Sequence, residues 1–283
     1  MSTLLEPFRH EFFVSGLVVA TLAGALCGLV GVYVVLRGMS YIGHGLSHAI
    51  FGGAVASYVT SVNFYLGAGV WGLVSALLIN RVARRRTIGA DAAIGTVTTA
   101  SFALGLALIS RFGGFTRNFE AALFGSVLGV TLADVLVVGG VAIFAGAVVF
   151  FGYRQLLFST FDPEVAEVSG VRTGRVDALL AITLAATITA TMTVLGVTLI
   201  AAALVIPAVI GRLLTDSFGR MLAISVVVGA LSGFVGMYLS YYLNISPGAS
   251  VVLTAAALFV VAFVVSGARR RRLSPDAAPS HLG

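Results

Sequence analysis

Apolar runs of about 17–25 residues recur along the whole chain, each about the length that crosses a bilayer. Lipid offers no partner to backbone N–H and C=O groups, so segments inside it must be helices or closed barrels. A barrel would read as short alternating segments. These runs are continuous, and the chain is predicted to be an all-α, polytopic transmembrane helical bundle. With 59% hydrophobic and only 10% charged residues, too little charge remains to clothe a soluble domain. Candidate spans fall at 12–36, 45–62, 64–82, 91–110, 131–152, 177–195, 197–214, 221–243 and 250–268, giving eight or nine crossings. The first run is too long for the apolar core of a signal peptide and reads as a retained span.

The basic residues set orientation. The net charge of +6 comes with 17 arginines and no lysine. In a soluble chain a pI near 10 would suggest nucleic acid, but here the arginines belong to loops and no nucleic-acid partner is expected. Arg81 to Arg86, Arg154 to Arg175 and Arg269 to Arg272 form three clusters, cytoplasmic by the positive-inside rule. The loop near Arg111 and Arg117 and the turn Asn244 to Gly248 are then external. If the first three runs all cross, the N-terminus lies outside. If one of them is re-entrant, it lies inside. The missing lysine also excludes a Gly-x-x-x-x-Gly-Lys-Ser/Thr phosphate loop, so this chain does not hydrolyse ATP by that route. The lone Cys27 makes no internal disulfide and reads as a small buried hydrophobe.

Two histidines stand out against this background, in His44-Gly-Leu-Ser-His48. Four-residue spacing puts both imidazoles on one helix face. Titratable side chains at membrane depth are costly and mark function by default, and neutral imidazole is the commonest metal ligand. The bland reading is a pair bonded to backbone carbonyls inside the bundle. The pattern differs from the His-Glu-x-x-His of zinc proteases, since Gly45 stands where that motif has its general base.

A second constellation lies between two spans. Asp162 is a good N-cap, Pro163 suits the first helical position, and Glu164 complements the helix dipole. Gly170 can close the segment in a left-handed conformation. The result is a two-turn cytoplasmic helix over 162–170, too short to be stable alone. It either lies on its own bundle or docks in a partner's groove. Asp91, Asp134 and Asp177 sit at apparent span starts and read as caps. Asp216 is a further near-membrane carboxylate, and Glu120 is placed on the external side, where it could face an incoming cation. Pro207 should kink its span. Gly24-x-x-x-Gly28, Gly125-x-x-x-Gly129 and Gly229-x-x-x-Gly233 allow close helix contact.

Several segments, in order, carry a resemblance. They are Val34-Val-Leu-Arg37-Gly-Met-Ser40 leading into Gly43 to Ala49, then Asp91 to Gly95, Leu123 to Gly129 and Ser159 to Ala166. Leu195 to Ala201 and Leu204 to Ala208 complete the set. Over about residues 12–268 the chain resembles the integral-membrane permease of zinc- and manganese-type ABC importers. That resemblance implies a permease domain over 1–268 and a basic, then disordered, cytoplasmic tail over 269–283. It implies a multi-pass protein of the bacterial cytoplasmic membrane with no permanently bound cofactor, which carries Zn2+ or Mn2+ as its substrate. The implied partners are cytoplasmic ABC ATPases, a second permease and an external metal-binding protein, with membrane lipid around them. His44 and His48 would line the metal path. Asp162, Pro163, Glu164, Val165 and Gly170 would couple to the ATPase. The family commonly has aspartate at the first of the two ligand positions, and this chain has His44. Four imidazoles from two copies would suit tetrahedral zinc, whereas manganese prefers harder oxygen ligands, so zinc is placed slightly ahead. Two other readings are a permease for a metal chelate such as a siderophore and an intramembrane metalloenzyme built on the same histidines.

Overall fold

The computed structural model describes residues 6–83, 90–112, 123–126 and 130–273. After a 3-10 turn at Glu6–Arg9 come ten helices: α1 (Glu11–Leu36), α2 (Ser40–Val59), α3 (Phe64–Ala83), α4 (Ala90–Phe112) and α5 (Leu132–Phe161), followed by α6 (Pro163–Val168), α7 (Thr173–Leu195), α8 (Ile200–Leu214), α9 (Phe218–Leu243) and α10 (Pro247–Leu273). Among the described residues the fold is all helical, as expected from the apolar runs. Arg84 to Arg86, Arg117, Glu120, Gly129 and the tail after Leu273 lie outside them.

Seven of these helices are long and apolar enough to cross a membrane, which corrects the expectation of eight or nine. The two that fall out are α2 and α8. Helix α8 has 15 residues, about 22 Å at the helical rise, short of a hydrocarbon core of about 30 Å. Helix α2 has the length, but Ser40, His44, Ser47, His48 and Ser57 dilute its apolarity. Both are carried by neighbours: α2 lies among α3, α4, α7 and α8, and α8 packs on α1, α9 and α10. Pro207 sits within α8 without ending it.

Helices α1 and α7 form the buried centre. Helix α1 is apolar all round, as a helix in a bundle interior should be, and it packs on α5, α7, α8 and α9. Its contact with α9 is made by backbone. A Cβ placed on Gly24 would lie 2.1 Å from the Gly229 carbonyl oxygen, and one on Gly28 would lie 2.3 Å from that of Ser225. Gly233 meets Ala20 in the same way. Two of the three glycine pairs read from the sequence therefore seat α1 against α9. Gly125 does something else: it takes a positive φ of 77° in a turn against Val194.

The same contacts show that α1 and α9 run antiparallel, because positions rising along one fall along the other. The start of α1 thus shares an end with the Asn244 turn, and Phe13 meets Tyr238 and Tyr241 edge-on there. Arg37, Arg81, Arg154, Arg172, Arg175, Arg212 and Arg220 sit at or near the opposite helix ends. By the positive-inside rule that end is cytoplasmic, and α1 enters from outside.

Helix α5 begins with a full capping box between Thr131 and Asp134. Asp134 is nearly buried and also accepts the Tyr65 hydroxyl of α3, so the expected cap doubles as a tie between helices. Replacing Asp134 with alanine should cost about 2 kcal/mol, a cap plus a buried bond, seen as a lower unfolding temperature of the purified protein.

Candidate functional site

Both histidines fall in the first half of α2, which starts at Ser40 rather than at residue 45. Their ring centroids are 4.6 Å apart with planes at 82°, as one helical turn requires. His48 is half-buried and sets its ring edge against Phe102 of α4, 4.9 Å away. His44 is exposed on the single chain, next to Tyr41. The Nδ1 atom of His48 is buried with no hydrogen-bond partner. A buried polar atom without a partner is unusual and costly.

The local sequence explains why α2 can hold these groups. Glycines let it sink between its neighbours. A Cβ on Gly45 would strike Ile94 and Thr98, one on Gly52 the Ser101 carbonyl, and one on Gly53 Trp71. The helix is thereby fixed on several sides, and the Ser47 hydroxyl is spent on the His44 carbonyl at 2.8 Å. What remains presented is the imidazole pair. Among the described residues no group of three or more His, Cys, Asp or Glu could hold a metal. Among those residues the pair offers two nitrogen donors. That set can bind and release a cation, and Gly45 stands where a zinc-protease motif has its general base.

A cavity of about 230 Å³ opens at the cytoplasmic end of the same helix, lined by Arg37, Tyr41, Asn80, Asp91 and Asp177 among others. Asp91 lies in the first turn of α4, as a helix-start carboxylate should. Asp177 departs from expectation. Helix α7 begins at Thr173 with Arg172 at its N-cap, so Asp177 is beyond the capping turn. It pairs instead with Arg37 at 2.6 Å. The apolar run marks where lipid begins, whereas the helix continues into the polar interface. Asp216 forms an exposed pair with Arg212 at 3.4 Å, a contact of little energetic weight.

The short loop helix is present as α6, six residues long. The Asp162 side chain accepts from the Val165 amide at 2.9 Å, Pro163 occupies the first position, and Gly170 takes a φ of 84°. Ala166 is fully buried, and Glu167 accepts the Thr173 hydroxyl, which anchors the helix to its own chain. Its other face is open: Val165 is 49% and Val168 91% exposed. Alanine at Asp162 should loosen this turn by about 1 kcal/mol, read as faster amide exchange at Glu164 and Val165.

Sequence reasoning missed the Arg37 cluster. The guanidinium is 8% exposed and donates to Asp177, to the Ser159 hydroxyl at 2.7 Å and to the Thr160 hydroxyl at 3.1 Å. Only the resemblance touched this residue, since a lone arginine after an apolar run reads as a membrane-end anchor.

Comparison with known proteins agrees with this architecture. The chain is 35% identical to the manganese transport system membrane protein MntC of Halalkalibacterium halodurans, over 92% of this chain and 89% of that one. It is 33% identical to a probable iron transport system membrane protein of Haemophilus influenzae, over 95% and 98%. The solved structure of PsaBC from Streptococcus pneumoniae in complex with Fab superposes with a TM-score of 0.84 at 31% identity, covering 95% of this chain and 96% of that chain. The ABC 3 transport family matches residues 9–266. Seven apolar spans, a glycine-seated helix carrying paired imidazoles and a capped cytoplasmic helix therefore belong to a multi-pass plasma-membrane permease of the ABC 3 transport family.

Proposed function

We propose that this chain forms the translocation pathway of an ATP-driven importer of divalent first-row metal ions, with His44 and His48 on the path. The observation that carries the reading is the pair itself: two imidazoles on one face, one exposed and one with an orphaned buried Nδ1. Neutral imidazole nitrogens suit such ions. Two donors from one chain make an incomplete site, and a second permease, the same or a paralogue, meeting it on an axis would bring two more. Incomplete sites release their ion, which a path requires. The names of the relatives support manganese as cargo. Zinc is the second reading, favoured by His44, because added imidazole shifts preference toward zinc. Either ion is substrate here; no resident cofactor is invoked.

Helix α6 is proposed to seat in a cytoplasmic ABC ATPase, through the exposed Val165 and Val168 on a turn braced by Asp162, Pro163, Glu164 and Gly170. An external metal-binding protein would deliver the ion to the opposite end. With no lysine for a phosphate loop, the purified chain alone should neither bind nor hydrolyse ATP, whereas the complete complex should do both. Specific turnover by the isolated chain would contradict the assignment.

The cargo is tested by uptake of labelled manganese, zinc and iron into vesicles holding the complete complex, with His44→Asp beside the native chain. A rise of the manganese-to-zinc ratio in the variant, by about tenfold for an energy difference of about 1.4 kcal/mol, is expected if His44 tunes the path. An unchanged ratio assigns selectivity elsewhere, and uptake of none of the three ions ends the metal reading.

A further inference from the structure

We propose that Arg37 is a positioning residue that transmits movement of α6 to the helix bearing His44 and His48. The proposal rests on the reading of α6 as the seat of an ATPase and names the side chain through which that seat would act.

Arg37 is the C-cap of α1 and stands three residues before α2 begins. Its guanidinium reaches the two elements that flank α6. On one side it holds Ser159 and Thr160, in the last turn of α5. On the other it holds Asp177, early in α7, at 2.6 Å. Both hydroxyls donate to the Leu156 carbonyl, Thr160 at 2.6 Å and Ser159 at 3.3 Å, so their lone pairs are free to accept from Arg37. The planar fork of arginine can span such a set in fixed geometry, which the single ammonium of lysine cannot. No other described residue of the α1–α2 link makes a comparable bridge to the base of α6.

The link beyond Arg37 is built to turn. Gly38 has a φ of 66°, and a Cβ added there would meet nothing within 4 Å. The glycine is thus kept for its backbone conformation and not for space. The Gly38 amide returns to the Val35 carbonyl and that of Met39 to Val34, closing α1 tightly against the start of α2. One turn further along α2 is Tyr41 and then His44. A displacement of the α5–α6–α7 corner must therefore break the Arg37 bonds or move the root of α2. Those bonds are charge-assisted, three in number and made by a guanidinium only 8% exposed, so the root is the part that yields.

A purely structural clamp would predict lost assembly and nothing more, and the test separates the two roles. The full complex with its ATPase is reconstituted with native, Arg37→Lys and Arg37→Gln chains, and manganese uptake and phosphate release are followed in the same vesicles. In a Cys27→Ala background, Val165→Cys reports seating by crosslinking to the ATPase, and Tyr41→Cys reports the root of α2 by thiol labelling with and without ATP. Arg37→Gln should keep the crosslink and the ATP turnover within about twofold. Its uptake per ATP should fall by at least about tenfold, and labelling at position 41 should lose its response to ATP. Arg37→Lys should fall between. If Arg37→Gln fails to assemble, Asp177→Asn, which leaves the hydroxyl partners in place, should show the same uncoupling. Uptake and turnover falling in equal proportion, or an ATP response at position 41 that survives in the glutamine variant with the crosslink intact, overturns the inference alone. Failure of the native chain to crosslink through Val165 overturns the reading of α6 and the inference with it.

Discussion

His44→Ala/His48→Ala is expected to lose metal uptake by at least about a hundredfold while the chain still assembles with its ATPase; even loss of groups that merely support a metal ligand costs about 10–100-fold. The two rings are the only close pair of titratable nitrogens on α2. Removing His44 takes away an exposed group whose ring contacts are Tyr41 and His48 alone among the described rings. Removing His48 gives up its edge contact with Phe102, worth about 0.5–1.5 kcal/mol, which a bundle of this size absorbs. His48→Phe is the sharper companion, since it preserves an aromatic against Phe102 and deletes only the donor. Uptake by His44→Ala/His48→Phe at the native rate, with expression matched, would remove the pair from the path.

Gly229→Leu should have the largest structural effect. The place a first side-chain carbon would occupy is 2.1 Å from the Gly24 carbonyl oxygen and 2.8 Å from its carbon. The obstacle is backbone, which has no rotamer to change. Overpacking a core costs about 1–3 kcal/mol when side chains can give way, and here the cost should exceed that range because α1 and α9 must separate. Their separation also breaks the Ser225–Gly28 bond and strips the central helix of a neighbour. The expected result is a chain that inserts but is degraded or aggregates on extraction, with a lost monodisperse peak on gel filtration. Gly267→Leu is the control, because a Cβ there meets nothing within 4 Å. Equal yields of the two variants would show that close approach of α1 and α9 is not needed.

Much of this was legible because lipid enforces simple rules. Apolar runs had to be helices, and most arginines had to gather at one end. The cap of α6 was legible for a different reason: Asp162, Pro163 and Gly170 act on their own turn, so local sequence contains the whole argument. Boundaries suffered where helices outrun the membrane. Helix α5 continues to Phe161, α7 starts at Thr173 and α10 reaches Leu273, and misplacing the start of α7 turned Asp177 from an ion-pair partner into a supposed cap. The Arg37 cluster was out of reach because its partners lie 122 to 140 residues away, a relation no spacing rule encodes. The histidine pair was half legible. Its shared face follows from i, i+4 geometry, but the buried Nδ1 depends on how α4 happens to cover α2.

The make-up of α2 bears on how the protein is built. A segment enters the bilayer from the insertion machinery when its side chains prefer lipid to water. The helix with the histidines is the one described helix of sufficient length that is not apolar enough to join the seven, and its glycines fit only against α3, α4 and α8. During synthesis α2 emerges before any of those three. It must therefore wait, held at the edge of the channel or in the headgroups, until later segments arrive to enclose it. The polarity that suits this helix to meeting an ion thus makes its entry into the membrane a cooperative, delayed event. Defects in α3 or α4 should then surface first as misplacement of a helix synthesised before them.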